Sequence, residues 1–386
     1  MSAVEPYRVF FPIGVVAGLI GAGAWVAHAF GWIGWPGPLH RGLMMPVFEV
    51  AFVLGFLLTS MPAFTHGAKC RPAELGGAVS ALLVAFVATL FSWPAVADAA
   101  SFAAVFVVGS ALMSRIRVGT IAPPEEFQFV AFGILSEMSG AALRLAIAVG
   151  APLDLPPRFA DRLTSLGFVL SLVLGFGGLL VPTFAQFRDP LVIQGIAGPH
   201  ERRGRRGLYS LAILLLAAAF VLEATRHPRA GSALRAVVAA AIVLLVWRPW
   251  RMPGRRTAAA WTLWISGWLI LLGLAGAALD PAHEIAALHL TFLGGFALLT
   301  LGIGTRVVVS HARQPLAIEE TLLTRWVVAT MLAALAARLA AEAMPARGAL
   351  WLGVSGALWC VGWGWWGVRT IPLVLGRAPR PDPAKT

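Results

Sequence analysis

Apolar residues recur along this chain in runs of about 17 to 25, separated by short breaks that carry arginine, proline or glycine. A helix of about 20 residues crosses the ~30 Å hydrocarbon core of a bilayer with its backbone hydrogen bonds all internal. The pattern therefore predicts an all-α, polytopic membrane helical bundle of about 12 transmembrane helices. The predicted spans are residues 9–30, 42–60, 75–92, 97–113, 127–149, 163–184, 207–224, 233–247, 258–279, 282–308, 322–341 and 348–373.

Composition agrees with a lipid-embedded chain, since 59% of the residues are hydrophobic and only 12% are charged. One soluble core could not cover so much apolar surface. We predict a single integral membrane domain over residues 1–386. The first apolar run is longer than a signal-peptide core and follows Glu5 and Arg8, so it is predicted to stay as a helix.

Lysine and arginine favour alternate connections, with twenty-one on the side of the N-terminus and seven on the other. Because cytoplasmic loops hold the excess positive charge, this bias predicts that both termini are cytoplasmic. The net charge of +12 is then explained by anionic lipid headgroups. The basic cluster at residues 201–206 is interpreted as a topology anchor, and no nucleic-acid partner is predicted.

Ionisable residues at membrane depth are costly to insert and are therefore candidate functional residues. Glu49 falls in the second predicted span, and Glu137 in the fifth, where Arg144 lies seven residues further along the same helical face. Two interpretations stay open for the Glu137 face: a hydrogen-bonded seam between helices, or the lining of a cofactor or proton path.

The eight histidines fall on both sides of the predicted membrane topology. The predicted topology places His28, His40, His283 and His289 toward the periplasmic half, His227 in a periplasmic loop, and His66, His200 and His311 on the cytoplasmic side. Imidazoles at one depth could ligate haem or copper, although each could also be an interfacial hydrogen-bonding residue.

Two local sequence patterns single out His40 and His289 among these candidates. His40 and Met44 are spaced i, i+4 at the mouth of the second span, so an imidazole and a thioether share one face. In the tenth span, His289 lies off a face of small residues. Cys70 and Cys360 form no CxxC or CxxCH motif, which excludes covalently attached haem and a disulfide.

Several stretches resemble the NnrS family. They are LHRGLM at 39–44 with GFLLT at 55–59, HLTFLGG at 289–295 with LGIGTR at 301–306, SHARQPL at 310–316, the opening PYRVFFP at 6–12, and the tail at 379–382. The resemblance covers the whole chain.

This resemblance implies a bacterial inner-membrane protein that contains non-covalent haem and copper and takes part in the response to nitric oxide, in nitrosative stress or denitrification. The implied partners are the lipid bilayer and nitric oxide or another diatomic ligand. The family usually carries Trp-His-Ala-His-Glu-Met at the mouth of the second helix, and His40 and Met44 match its first histidine and its methionine. Gly42 replaces the second histidine and Leu43 replaces the glutamate, which removes two ligand-type side chains.

The resemblance also suggests roles for single residues. His40 and His289 are the candidate axial ligands, with Met44 beside His40, and His283 and His311 are further candidates for metal binding. Arg144 and Arg338 could pair with haem propionates. Glu49 and Glu137 could donate protons if the diatomic ligand is reduced.

Other function classes remain as alternatives. One is a metal-free, degenerate relative with a scaffolding role. Another is a secondary transporter, which would use Gly- and Pro-interrupted spans such as residues 175–182, although no internal repeat is evident. A respiratory haem–copper oxidase is disfavoured because it needs more intramembrane histidines and a nearby tyrosine, and this chain has only Tyr7 and Tyr209.

Overall fold

The computed structural model describes residues 4–120, 122–185 and 199–377, and the described residues contain no β-strand. Arg188 of the charge bias and the tail at 379–382 lie outside these ranges. The prediction of an all-α membrane bundle is confirmed. The long helices in the described ranges are α1 Tyr7–Ala29, α2 Gly37–Thr65, α3 Pro72–Leu90, α4 Pro94–Val118, α5 Phe127–Ala148, α6 Phe159–Phe184, α7 Pro199–Ala224, α8 Pro228–Trp247, α9 Ala258–Leu279, α10 Pro281–His311, α11 Arg325–Ala343 and α12 Gly348–Val374.

Within the described ranges, eleven of these helices, α1 to α11, are long and apolar enough to cross a membrane. The twelfth, α12, has 27 residues and is long enough, but its many tryptophans and glycines lower its mean hydropathy. Helix α8 is 20 residues long, longer than the predicted span 233–247. It begins earlier because Pro228 starts the helix.

The chain divides into two compact units. The first comprises Met1–Ala122 and Thr300–Thr386, and the second comprises Pro123–Leu299. In the first unit α1 packs on α2 and α12, α3 packs on α4, and α11 packs on α12. In the second unit α5 packs on α6, α7 on α8, α8 on α9, and α9 on α10. A single membrane domain stays a prediction.

Helices α2, α6 and α10 share an irregular design. In each, a short α-helical start leads into a π-helical segment and then into a longer α-helix. The π-helical segments are Met44–Glu49, Leu163–Val169 and Leu290–Ala297. These three spans are also the most buried, with 67%, 94% and 67% of their apolar windows buried, against at most 44% in the other candidate spans. Since π-helical turns often occur at functional sites, these helices direct the search for one.

The shared design of α2 and α6 has a local counterpart in the sequence. Residues 48–64 and 168–184 match at a constant separation of 120 residues. The identical pairs are Phe48 and Phe168, Val53 and Val173, Leu54 and Leu174, Gly55 and Gly175, Phe56 and Phe176, Pro62 and Pro182, and Phe64 and Phe184.

The matched glycines also pack alike. A Cβ atom on Gly55 would lie 2.9 Å from Phe10 Cβ of α1, and one on Gly175 would lie 2.9 Å from Phe129 Cβ of α5. Each glycine therefore permits close approach of the preceding helix. Residues 175–182, which sequence reasoning took as a possible interruption, lie within the α-helix Leu170–Phe184. The irregular part of α6 is its π-helical segment Leu163–Val169, which precedes residues 175–182.

Candidate functional site

His40 lies in the short helix Gly37–Leu43 that opens α2. Its Nδ1 is 3.0 Å from the carbonyl oxygen of Gly21 in α1. A carbonyl oxygen can only accept, so Nδ1 carries the proton and Nε2 carries the lone pair. The Trp25 ring stands edge-on to the imidazole, with 5.5 Å between ring centroids, and Trp35 packs on Trp25. The backbone and an aromatic wall thus fix the orientation of His40.

Met44 begins the π-helical segment and faces the same point on α1. A Cβ atom on Gly21 would lie 3.2 Å from Met44 Sδ. The glycine therefore makes room for the thioether one turn from the imidazole. The structure brings His40 and Met44 together against Gly21, as their spacing predicts.

Arg338 of α11 is a third predicted residue in this part of the first unit. Its positive charge acts on His40, and its Nη1 lies 3.7 Å from Glu342 Oε2. The Arg338 side chain is only 12% exposed. A guanidinium in this position could receive a second carboxylate, such as a propionate.

The two positions that depart from the family motif are filled by apolar packing. A Cβ atom on Gly42 would lie 2.7 Å from Thr89 Cγ2 of α3. Leu43 is fully buried, and its Cβ lies 3.1 Å from the Cβ position of Gly21. A histidine at 42 would require Thr89 to move, so this corner is repacked around the two replacements.

Glu49 ends the π-helical segment of α2 and is 4% exposed. No described residue forms an ion pair with it. Its neighbour Phe48 packs on Trp359 and Trp363 of α12, whose buried indole N–H groups have no hydrogen-bond acceptor in the described ranges. The first unit therefore holds an isolated buried carboxyl on the same helix as His40.

His289 belongs to the second unit and, unlike His40, is bonded to a carbonyl of its own helix. Its Nδ1 lies 2.7 Å from the carbonyl oxygen of Ile285, so that the lone pair is on Nε2. It immediately precedes the π-helical segment of α10. The convergence of His40 and His289 on one cofactor stays a prediction.

His283 and His311 have different surroundings. His283 Nδ1 lies 2.8 Å from Asp280 Oδ2, both side chains are exposed, and the hydrogen bond from His283 lowers the pKa of Asp280. His311 Nδ1 lies 3.5 Å from Glu5 Oε2, and its hydrogen bond lowers the pKa of Glu5. The ring of Tyr7 packs on His311. Each histidine is thus seen paired with one carboxylate.

Glu137 and Arg144 connect α5 with α6. Arg144 Nη2 lies 3.4 Å from Glu137 Oε1, and its Nη1 donates to Thr164 Oγ1 at 2.5 Å. Glu137 is fully buried. This geometry favours the seam between helices. The roles of Glu137 as a proton donor and Arg144 as a propionate partner stay predictions.

Sequence reasoning missed a buried ionic network in the second unit, which we call the Arg162–Glu284 network. Arg235 Nη2 donates to Glu223 Oε1 at 2.7 Å, with side chains 2% and 0% exposed. Arg162 Nη1 lies 3.8 Å from Glu223 Oε2, and Arg162 Nη2 contacts both Glu284 oxygens at 2.8 Å. Arg235 lay inside the predicted span 233–247, and an arginine inside a span is itself a signal of a buried partner.

The donor set limits which group the chain could hold. In the part of the chain that the structure describes, no three His, Cys, Asp or Glu residues come close enough together to hold a metal ion. A single imidazole with a nearby thioether would suit haem iron, or soft ligation of Cu(I). The residues at His40 therefore fit haem or Cu(I), and they do not form a closed site of three or more such ligands.

A family model described as NnrS protein matches residues 3–377, nearly the whole chain. No curated protein matches the chain.

Proposed function

The chain belongs to the NnrS family, and we propose that it binds haem or copper and takes part in the response of a bacterial cell to nitric oxide. The membrane bundle is established by its helices, whereas the cofactor and the physiological role come from the family. We place the protein in the inner membrane with both termini in the cytoplasm, because of the bias of twenty-one basic residues against seven.

The observation that supports this proposal best is the pairing of His40 and Met44 at Gly21. The imidazole donates its Nδ1 proton to a backbone carbonyl, which is the usual outer-shell arrangement of a ligating histidine. Such a bond fixes the tautomer and makes Nε2 a better electron donor. Met44 reaches the same glycine from the next turn.

The residues around His40 would also suit a bound haem or copper. Trp25 and Trp35 shield the imidazole, Arg338 could pair with a propionate, and Glu49 could hold a proton at membrane depth. When bound, haem or copper supplies the capacity to bind a diatomic ligand such as nitric oxide. His289, with its own Nδ1 bonded to a backbone carbonyl, is proposed as a further ligand.

A metal-free relative is the second candidate, and one observation favours it. Thr89 occupies the space that a side chain at Gly42 would need, and Leu43 is fully buried. The corner has thus lost two ligand-type residues and gained apolar contacts. In this alternative the bundle serves as a scaffold.

Spectroscopy with metal analysis separates the two candidates. The protein is purified in detergent, and its haem and copper are quantified together with a reduced-minus-oxidised absorption spectrum. We expect bound haem or copper in the wild type, loss of most of it in His40→Ala, and a shifted spectrum or weaker copper binding in Met44→Ala.

His227→Ala is the matched control, since His227 precedes α8 and was predicted to lie in a loop. This variant should keep the haem and copper content of the wild type. A wild type without haem or copper after expression in supplemented medium would favour the scaffold. Equal loss of cofactor in His227→Ala and His40→Ala would remove His40 as a specific ligand.

A further inference from the structure

An open groove on the second unit lies between the end of α8 and the first turns of α9. It is lined by Pro249, Trp250, Trp264, Ile265, Trp268 and Leu269. Trp264 Nε1 donates to the carbonyl oxygen of Pro249 at 2.6 Å, which ties the connection to α9. The wall of the groove is thus almost entirely apolar and aromatic.

Four arginines occupy the connection at one end of this groove. They are Arg248, Arg251, Arg255 and Arg256. Residues 224–279 contain no aspartate or glutamate, and no described residue forms an ion pair with any of the four. Arg251 and Arg256 are exposed. A concentrated positive charge therefore stands beside the apolar groove, and no carboxylate of the described residues is paired with it.

The tryptophans extend the groove along α9 away from the arginines. Trp261, Trp264 and Trp268 follow one another at steps of three and four residues, and their rings pack edge to face at 5.4 and 6.4 Å. Trp250 is 54% exposed at the mouth. Indole rings prefer the depth of the lipid headgroups and upper acyl chains.

We propose that this surface, which we call the Trp250–Trp268 groove, binds an anionic phospholipid. The acyl chain lies along Trp264, Trp268 and Leu269, and the phosphate group contacts the arginines of the connection. The choice of occupant rests on charge complementarity. A zwitterionic lipid would fill the apolar part equally well but would bring no net charge to the four arginines, whereas an anionic headgroup brings a negative charge to them.

Competitive lipid binding tests this inference on the full chain. The detergent-purified protein is titrated with phosphatidylglycerol or phosphatidylcholine, and bound lipid is counted by native mass spectrometry. We expect the wild type to retain phosphatidylglycerol in preference to phosphatidylcholine. Because each basic residue near an anionic surface contributes about fivefold in affinity, Arg251→Gln with Arg255→Gln should reduce that preference by roughly 25-fold.

A matched double variant removes the same charge elsewhere. Arg229→Gln with Arg347→Gln alters two exposed arginines outside the groove and should keep the preference. Trp264→Ala should weaken both lipids, since it removes apolar wall and not charge. Equal loss in both double variants, or no preference in the wild type, would overturn the proposal.

A second measurement does not depend on the folding of any variant. Phosphatidylglycerol with a photoreactive group on its acyl chain is crosslinked to the wild-type protein in vesicles, and the labelled peptides are mapped. Labelling concentrated in residues 249–269 supports the groove, whereas labelling spread evenly over the lipid-facing helices contradicts it. A change from dimer to monomer in Trp264→Ala, without loss of lipid, would show that a second copy of the chain covers the groove instead.

Discussion

The Arg162–Glu284 network should make the stability of this protein depend on a single buried arginine. In Arg235→Gln, Glu223 loses its 2.7 Å partner and keeps only Arg162 at 3.8 Å. Removing one member of a buried pair typically costs about 3–5 kcal/mol, because the other charge stays buried without compensation. We expect a loss of about 3 kcal/mol, at the lower end, since Arg162 remains as a partner.

The reverse experiment distinguishes burial of a lone charge from loss of packing. Replacing a buried pair by apolar residues of similar volume is often nearly neutral. The double variant Arg235→Leu with Glu223→Leu should therefore be more stable than Arg235→Leu alone. Arg162 still contacts Glu284 in this variant through two oxygens at 2.8 Å, so no charge is left unpaired.

Arg226 and Asp154 provide the matched control, because they also form an ion pair but their side chains are 64% and 89% exposed. Exposed pairs contribute about 0–1 kcal/mol. Unfolding in mixed micelles with increasing SDS, followed by far-UV circular dichroism, gives the free energy of unfolding for each variant. The reasoning fails if Arg235→Gln costs no more than Arg226→Gln, or if the double leucine variant is less stable than Arg235→Leu.

Three further predictions follow from single contacts. Gly55→Ala should lower the free energy of unfolding by about 1–3 kcal/mol through overpacking against α1, whereas Gly76→Ala, with nothing within 4 Å of its Cβ position, should be neutral or slightly stabilising in the same SDS titration. Gly42→His should destabilise the protein, and adding Thr89→Ala should restore stability; equal stability of Gly42→His and wild type would contradict the packing argument. Glu5 has a lowered pKa because of the hydrogen bond from the neighbouring histidine, so its contribution is present above its usual pKa of 4.5 and is lost as the pH falls through the folded value. Wild type and Glu5→Gln should therefore differ by less than about 1 kcal/mol at neutral pH and converge in thermal unfolding at acid pH; a difference that grows on acidification would refute this.

The bundle itself was predictable from the sequence because a span needs only length and apolarity. The helix boundaries were less predictable. Helix α8 begins at Pro228, several residues before residue 233, where the predicted span began. Hydropathy counts a charged residue as the edge of a span. Arg229 lies between Pro228 and the predicted start. Arg235 lay inside the predicted span, and the sequence signals only that it needs a partner, which the structure identifies as Glu223 of α7.

The candidate site was predictable in part, for a similar reason. The i, i+4 spacing of His40 and Met44 is a local property of one helix, and the structure brings both to Gly21. The contact of Thr89 with the Gly42 position was not predictable, because it depends on how α3 packs against α2. The π-helical segments also escaped sequence reasoning, since apolar periodicity does not distinguish a π-helical turn within an α-helix.

In each of α2, α6 and α10 a polar side chain lies within one turn before the π-helical segment, and the chemistry of that side chain differs. It is His40 one turn before Met44 in α2, and His289 directly before Leu290 in α10. In α6 the residue directly before the π-helical segment is Arg162, which matches Gly42 and not His40 at the separation of 120 residues. The Arg162 guanidinium contacts Glu284 and Glu223. We therefore expect this residue to contribute to the stability of the fold. Two of the three helices therefore carry an imidazole whose Nδ1 is bonded to a backbone carbonyl, and the third carries an arginine of the ionic network. On this argument, ligand binding is to be sought at α2 and α10, and substitutions at the break in α6 should change stability before they change cofactor content.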